Sequence, residues 1–238
     1  MLPRQLSRLL IGVFLWWGTS SLWAAEPSAD NTHALREIEG WQVHVDLQLL
    51  EGEHQELGQT ALRLLEGKLL ELRLRLPASR LEKLRQVQIW LDREHQLTSM
   101  QYHPSASWLR EHGYDPQMEK CVHIPRAGQF IEHIARHAQP AVVVHELAHA
   151  YHDLFLGWEH PGIVAAYEQV RAGGALESVL HISGRQQQHY ALTNPKEFFA
   201  EMTESFLSTN DFYPFVRGEL RDGFPEVDAL LKAIWLED

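Results

Sequence analysis

The order in which apolar periodicities appear along the chain constrains its fold most strongly. Every second residue from Trp41 to Leu49 is apolar, which is the two-residue period of a half-buried β-strand. Shorter apolar runs at 87–91 and 121–124 predict two further strands. Helical spacing dominates the later part of the chain, around 138–156, 162–172, 195–208 and 224–236. Because strands gather early and helices late, we expect an α+β fold, with a small mixed N-terminal sheet followed by a helical half.

A leucine-rich segment between the first two predicted strands fits two structures. Most of its leucines fall at helical spacings, but the last of them also alternate with charged residues, as in a strand. We favour a helix that ends before Pro77. The helical set is Leu57, Leu62, Leu65, Leu69, Leu72 and Leu76. The stretch between the second and third predicted strands is rich in His, Ser and Pro and is expected to be a loop.

Length, charge and cysteine content limit the possible functions. The chain has 238 residues, enough for one compact domain with a sizeable core. Its formal net charge of -11 argues against nucleic acid as a partner, since no basic surplus is present to neutralise phosphates. Fifteen histidines against one cysteine favour a metal bound by nitrogen and oxygen ligands. The single cysteine, Cys121, is expected to be a small buried residue rather than a reactive thiol.

The first 25 residues have the layout of a signal peptide, with a positive start, an apolar stretch from Leu9 to Trp17 and small residues before Glu26. The cleavage site is imperfect, so an uncleaved anchor is an alternative. Because the apolar run is shorter than the roughly 20 residues that span a bilayer, we favour cleavage, export to the periplasm or the medium, and no stable membrane insertion. Residues 26–33 are expected to be a flexible lead-in. This leaves 34–238 as a single domain.

The segment His145-Glu146-Leu147-Ala148-His149 carries the main chemical signal. On a helix, His145 and His149 project from one face, close enough for both imidazoles to bind one ion. Zinc accepts such ligands and keeps a position for water in catalytic sites. Glu146, at the edge of the site, is placed to act as general base towards that water. A His-rich chain can contain this pattern by chance, but the apolar residues around it, from 141 to 150, are typical of a buried helix.

A third ligand is expected downstream. The pattern His-Glu-x-x-His-x-x-Gly-x-x-His is excluded, because His152 and Phe155 stand where Gly and His are required. The better candidate is Glu197, which follows a proline suited to the first turn of a helix. Glu201, on the same face, would then accept a hydrogen bond from the free ring nitrogen of a ligand histidine. The reverse assignment of Glu197 and Glu201 is the alternative.

The motif at 145–149 is followed by two further segments, Tyr190-Ala191-Leu192-Thr193-Asn194 and Glu197-Phe198-Phe199-Ala200-Glu201. Taken together, these segments resemble the catalytic core of anthrax lethal factor-like zinc peptidases. The resemblance covers residues 140 to 206, approximately, and rests on two motifs in the right order. It implies a zincin-like fold of the gluzincin type, with one zinc ion bound by His145, His149 and Glu197. Glu146 becomes the general base and Glu201 a carboxylate behind the ligands.

The resemblance also assigns Tyr190 as a hydrogen-bond donor to the transition state, a role that a phenol near the metal can fill. Without the resemblance, core packing would be the preferred interpretation of Tyr190. The substrate is not implied, because lethal factor is a large toxin with separate recognition and delivery regions that this chain is too short to contain.

Other candidate residues have ordinary structural interpretations. His152 could support a metal ligand or contact substrate, but it is expected to cap the motif helix or to be solvated. The same alternatives apply to His189. Core packing is favoured over a substrate subsite for the aromatic segment 212–215. The strand at 121–124 is a candidate edge strand for an extended substrate. Two carboxylate pairs, Glu201 with Glu204 and Glu51 with Glu53, could be the paired catalytic acids of a glycosidase, but solvated helix or turn residues explain most of them better.

Three functions fit these residues. The leading one is a zinc-dependent endopeptidase that acts on a peptide or protein substrate. The second is a non-catalytic, zinc-stabilised binding module, against which Glu146 argues because a structural site needs no base. The third is a zinc amidase that acts on a non-protein amide, such as one in cell-wall material.

Overall fold

A six-stranded sheet forms from the first half of the chain. The computed structural model describes residues 26–27 and 32–237. The strands of this sheet are β1 (Glu26–Pro27), β2 (His33–Ile38), β3 (Trp41–Asp46), β4 (Ile89–Leu91), β5 (Gln101–Tyr102) and β6 (Val122–Ile124). They lie in the order β1-β2-β3-β4-β6-β5, with β3, β4 and β6 parallel to one another. Strand β1 pairs antiparallel with β2, β2 with β3, and β5 with β6. Strand β5 is last in the order and therefore forms one edge of the sheet.

Nine α-helices occupy the described part of the chain, and six of them follow the last strand of the large sheet. They are α1 (Gln55–Arg75), α2 (Ala78–Leu84), α3 (Ala106–Glu111), α4 (Ala127–Ala135), α5 (Val142–Tyr151), α6 (Pro161–Gly173), α7 (Pro195–Leu207), α8 (Arg217–Gly223) and α9 (Pro225–Trp235). A short hairpin of β7 (Val179–Leu180) and β8 (Gln186–Gln187) lies between α6 and α7. The prediction of an α+β fold with an early sheet and later helices is confirmed.

Strand β3 is buried on the side that the alternation predicts, because Trp41, Val43 and Val45 are fully buried. The strand ends at Asp46, earlier than the predicted Leu49. There the Asp46 carboxylate accepts a hydrogen bond from the backbone N–H of Gln48 at 2.9 Å and starts a 3-10 turn. Such local side-chain bonds compete with a strand ladder. The strands predicted at 87–91 and 121–124 are confirmed as β4 and β6.

Helix α1 settles the two interpretations of the leucine-rich segment in favour of the helix. Leu65, Leu69 and Leu72 are buried on its inner face, whereas Leu74 is 74% exposed. At Gly58 the helix passes so close to the 3-10 turn that an added Cβ would lie 1.9 Å from the carbonyl oxygen of Leu49. The contact between α1 and the 3-10 turn after β3 therefore depends on a residue without a side chain.

The region from 92 to 120 differs from the predicted loop. It contains β5 and α3, and β5 pairs with β6 through residues such as Tyr102 opposite Val122. A two-residue strand has too short an apolar pattern for periodicity to detect. Strand β6 is consequently an interior strand, and the expectation that 121–124 forms the edge strand is wrong.

The N-terminal region differs from the expected flexible lead-in at both of its ends. Glu26–Pro27 pairs with Ala34 and Leu35, and His33 already belongs to β2. Backbone pairing of this kind needs no hydrophobic periodicity, which is why the composition does not reveal it. The predicted signal peptide, residues 1–25, lies outside the described residues.

The larger of two core clusters joins the sheet to the later helices. It extends from Trp41 and Leu65 through Leu147 to Phe199 and Trp235. Cys121 is buried in the smaller cluster, as predicted, and burial raises the pKa of its thiol to about 12. No helix in the described part of the chain is both long and apolar enough to cross a membrane.

Candidate metal centre

Helix α5 holds His145 and His149 on one face. Its remaining surface is buried, with Val143, Leu147 and Ala150 each at most 1% exposed. The helix packs against α1, α7 and the strands β5 and β6, which fixes the direction of both histidines. Their Nε2 atoms lie 3.0 Å apart, one helical turn from each other.

Helix α7 brings a carboxylate to the same point. The Asn194 side chain accepts hydrogen bonds from the N–H groups of Lys196 and Glu197, and Pro195 occupies the first turn, so this helix starts at the predicted residue. Glu197 Oε2 lies 3.2 Å from Nε2 of His145 and 3.2 Å from Nε2 of His149. The structure thus places Glu197, rather than Glu201, beside both Nε2 atoms.

The three atoms form a triangle with sides of 3.0 to 3.2 Å. Ligands at about 2.0 to 2.1 Å from a tetrahedral zinc ion are separated by roughly 3.3 Å, so the triangle needs only small adjustments to hold one. Both imidazoles direct Nε2 towards the centre of this triangle. Without a cation or a proton there, the two nitrogen lone pairs and the carboxylate oxygen would repel one another. The chemistry and spacing of His145, His149 and Glu197 therefore fit a metal ion.

The charges around the triangle favour a positive occupant. Burial opposes protonation of His145, but hydrogen bonds to Glu197 and Glu204 outweigh it and hold the pKa of His145 well above its usual value. Burial likewise disfavours ionised Glu197, but the hydrogen bonds with His145 and His149 hold the pKa of Glu197 well below its usual range. A proton and a metal ion would compete for the same place.

The carboxylate behind His145 is Glu204, and the prediction that Glu201 accepts this hydrogen bond is wrong. His145 Nδ1 lies 2.7 Å from Glu204 Oε1 and 3.6 Å from Glu201 Oε1. Glu201 Oε2 instead accepts a hydrogen bond from the Asn210 side chain at 3.1 Å. Both glutamates follow Glu197 on one stripe of α7, but Asn210 engages Glu201, and Glu204 is the one that reaches the ring.

Glu201 and Glu204 are each 4% exposed, so the expectation that this pair is solvated is wrong. Burial raises the pKa of Glu204 to about 7, and burial together with the neighbouring Glu204 charge raises the pKa of Glu201 well above its usual value. The inner stripe of α7 thus concentrates carboxyl groups directly behind the metal centre. The other pair, Glu51 and Glu53, is exposed as expected.

Glu146 lines the cavity at the metal centre, together with His145 and His149, and is 7% exposed. Its Oε2 accepts a hydrogen bond from the backbone N–H of Tyr102 in β5 at 2.8 Å. Burial raises the pKa of Glu146, although the nearby histidines partly oppose this effect. The edge strand therefore orients a carboxyl group whose affinity for a proton is increased, as a general base requires.

Tyr190 lies in a 3-10 helix, Tyr190–Leu192, just before α7. It is 49% exposed and lines a cavity of about 520 Å³ together with His145, Glu146, His149 and Glu197. Partial burial, and to a smaller extent the Glu197 charge, raises the pKa of its phenol. The hydroxyl therefore stays protonated and can donate a hydrogen bond. Core packing, the alternative interpretation of Tyr190, is therefore wrong.

Two histidines near the centre are more buried than the sequence indicates. His152 occupies the C-cap position of α5, from which a π-helical turn continues. Its ring is fully buried against Trp158 and Phe199, so the expectation that it meets solvent is wrong. Burial lowers the pKa of His152 to about 4. His189 is 1% exposed and stacks on Phe212, and burial lowers its pKa to about 3.

The aromatic segment 212–215 divides between two environments. Phe212 is 8% exposed and belongs to the core, as expected, but it also lines the cavity at the metal centre. Tyr213 is 37% exposed. The preference for core packing is thus confirmed for Phe212 and wrong for Tyr213.

The sequence interpretation missed two residues that contact the centre. Glu204 lies seven residues after Glu197, a spacing that returns to the same helix face, so a signal for it existed. Tyr102 contributes a backbone N–H, which every non-proline residue has, so no side-chain pattern distinguishes it.

Comparison of the chain with protein-family models, with curated proteins and with solved structures finds no match.

Proposed function

We propose that this chain is a zinc-dependent endopeptidase of zincin-like fold. One observation carries the proposal: two histidine nitrogens and one carboxylate oxygen converge at 3.0 to 3.2 Å beside a buried glutamate, in a cavity that opens to solvent. The lethal factor-like arrangement of motifs in the sequence supports the same class of enzyme.

His145, His149 and Glu197 would hold the zinc ion, which would lower the pKa of a water molecule and polarise the scissile carbonyl. The donor set of two imidazoles and one carboxylate is typical of catalytic rather than structural zinc sites, which are usually closed by four protein ligands. Among the described residues, the carboxylates of Glu201 and Glu204 approach His145 from its other ring nitrogen. Glu204 therefore supports a ligand through a hydrogen bond, and neither carboxylate closes the coordination shell.

Glu146 would remove the proton from the attacking water and transfer it to the leaving amine. The raised pKa of Glu146 supports this role, because a base must bind the proton firmly enough to carry it. The hydrogen bond from Tyr102 occupies Oε2 and leaves Oε1 for the water. Tyr190, on another part of the cavity wall, would donate to the oxyanion that develops on the attacked carbonyl.

Strand β5 would align the substrate. It is the edge of the sheet, and Met100, Gln101 and Tyr102 line the cavity. An extended peptide can pair with an exposed strand edge through its main chain, which gives affinity with little dependence on sequence. The sequence predicted substrate pairing at residues 121–124. We assign it to β5 instead, because β5 pairs with β6 and makes β6 an interior strand. We propose a peptide or protein as the substrate, no nucleic-acid partner, and export of the protein.

Two other functions share these residues. A non-catalytic zinc module would leave the buried Glu146 without a purpose, and a zinc amidase would use the same groups on a non-protein amide. Assays with peptide and non-protein amide substrates distinguish an amidase from an endopeptidase. The substitution Glu146→Gln distinguishes either enzyme from a binding module.

The test is the Glu146→Gln variant, with Glu159→Gln, an exposed glutamate, as the matched control. Both variants should bind as much zinc as the unmodified protein, measured by elemental analysis. We expect Glu146→Gln to lose at least about 100-fold in hydrolysis of a quenched fluorescent peptide mixture, and Glu159→Gln to match the unmodified protein. Undiminished turnover in Glu146→Gln would rule out the proposed mechanism.

A further inference from the structure

The candidate metal centre uses two of the chain's 15 histidines. Four others surround a single buried carboxylate, Asp92, in the large sheet. We call this group the Asp92 cluster; it consists of His33, Asp92, His95, His103 and His123. Asp92 and His123 are 7% and 0% exposed, and His33 and His103 are 8% and 2% exposed.

Regular backbone fixes most of the cluster. Asp92 directly follows β4, and His123 lies in the middle of β6, the parallel strand beside it. The ladder continues past β4, because the N–H of Asp92 donates to the carbonyl oxygen of Ile124 at 2.9 Å. His103 follows β5 and continues its pairing with β6 in the same way. The sheet therefore holds Asp92, His103 and His123, whereas His95 lies in the segment that joins β4 to β5.

Asp92 accepts hydrogen bonds on both oxygens. His123 Nε2 lies 2.6 Å from its Oδ2, and His33 Nε2 lies 2.7 Å from its Oδ1. The other nitrogen of His123 lies 3.3 Å from His103 Nε2. The His95 ring stands edge-on to His123, with 4.8 Å between the ring centroids. Asp92, His95 and His123 each offer one ligand atom within 4.8 Å of those of the other two.

The protonation states of the cluster suit a cation. Burial alone would raise the pKa of Asp92, but the hydrogen bonds from His123 and His33 hold it well below its usual range, so the carboxylate is ionised. Burial and the nearby His123 lower the pKa of His95, and the same two causes lower that of His103 to about 3. Neutral imidazole and ionised carboxylate are the forms that bind metals.

We propose that Asp92, His95 and His123 form a second binding site for a divalent transition-metal ion such as Zn²⁺, separate from the His145 site and independent of the proposed peptidase activity. Two imidazoles and one carboxylate select this class of ion over Mg²⁺ and Ca²⁺, which prefer oxygen ligands throughout. The ion replaces the proton that His123 shares with Asp92, and that proton leaves to solvent.

His33 and His103 complete the site from outside. His33 keeps its hydrogen bond to the second oxygen of Asp92, and His103 accepts one from the other nitrogen of His123, which are the supporting contacts that ligating carboxylates and imidazoles normally have. Two ligands of one ion are about 3 Å or more apart, so Asp92 and His123 separate by several tenths of an ångström when the ion enters.

The second site lies behind the edge strand of the first. Tyr102 donates its N–H to Glu146, and the next residue, His103, belongs to the Asp92 cluster. A metal ion at the Asp92 cluster would brace the segment that carries β5. It therefore raises thermal stability even in a protein whose His145 site cannot bind.

The experiment uses full-length protein freed of metal by a chelator and then titrated with Zn²⁺ by calorimetry, with elemental analysis of the bound metal. In the variant His145→Asn/His149→Asn, the first site is removed, and we expect one zinc ion to bind and to raise the melting temperature. Adding His95→Gln should abolish this binding and the stabilisation. Adding His112→Gln, an exposed histidine outside both sites, should change neither.

If the His145→Asn/His149→Asn variant binds no zinc, the proposal of a second site is contradicted. The proposal for the His145 site is not affected by that result. A zinc ion that persists after His95→Gln also contradicts it, because the ion would then lie on other histidines. Failure of the His145 site to bind zinc has a different signature: the unmodified protein would bind one ion, and that binding would be lost with His95→Gln but unaffected by the His145 and His149 substitutions.

Discussion

His145 Nδ1 donates a hydrogen bond to Glu204 at 2.7 Å, which leaves its Nε2 facing Glu197 and His149. The contact fixes both the orientation of the ring and the nitrogen that a metal would meet. Glu204 is thus as much a part of the centre as a direct ligand, although it lies seven residues beyond Glu197 in α7.

Glu204→Ala should weaken zinc binding far more than Glu201→Ala does. Loss of a carboxylate that orients a ligand histidine costs roughly 10- to 100-fold in metal affinity. Glu201 lies 3.6 Å from the same nitrogen and is engaged with Asn210, so its removal should cost several times less. Competition with a chromogenic chelator measures both affinities. Equal losses in the two variants would show that Glu204 has no special role.

Gly58→Ala and Gly67→Ala should change stability in opposite directions, although both lie in α1. A Cβ at position 58 would lie 1.9 Å from the backbone oxygen of Leu49, so the helix must move, at a cost of about 3 kcal/mol. A Cβ at position 67 meets nothing within 4 Å, and Ala there should stabilise the helix by about 0.5 to 1 kcal/mol. Urea unfolding compares the two variants, and a tolerated Gly58→Ala would disprove the close approach of α1 to the 3-10 turn at Leu49.

His189 should make the fold sensitive to mild acid. Burial lowers the pKa of His189 to about 3 in the folded protein, against about 6.5 in an unfolded chain, so between these values the unfolded chain binds a proton that the folded chain does not. Stability is therefore complete above pH 6.5 and falls as the pH decreases. From pH 7.5 to pH 5 this one residue should remove about 2 kcal/mol of the free energy of unfolding.

The matched variant for this prediction is His189→Asn. Its side chain can still accept the hydrogen bond that His189 Nδ1 accepts from the N–H of Ala191, but it does not titrate. Urea unfolding with chelator present, at pH 7.5 and pH 5, should show an acid-dependent loss that is about 2 kcal/mol smaller in the variant. Identical losses in the two proteins would mean that His189 is not buried as a neutral ring.

Local spacing explains which parts of the structure could be predicted from the sequence. The four-residue spacing of His145 and His149, and the Asn194-Pro195 helix start before Glu197, depend on one helix each, and the structure reproduces both. The alternation at Trp41 to Val45 is equally local. Each of these features is fixed by backbone geometry within a few residues.

Contacts between distant segments could not be predicted in the same way. The choice of Glu204 over Glu201 depends on where Asn210 lies, and the hydrogen bond from Tyr102 to Glu146 depends on the pairing of β5 with β6. His152 is buried because a π-helical turn extends α5, and nothing in the spacing of its neighbours indicates that turn. Tertiary packing, rather than local pattern, decides these positions.

The most direct test of the central claim is the digestion of a peptide library by the purified protein, first stripped of metal and then reconstituted with zinc, with the products identified by mass spectrometry. We expect internal peptide bonds to be cleaved only after zinc is restored, and cleavage to stop when a hydroxamate chelator is added. Cleavage by the metal-free protein, or none by the zinc-loaded protein, would contradict the assignment of a zinc endopeptidase.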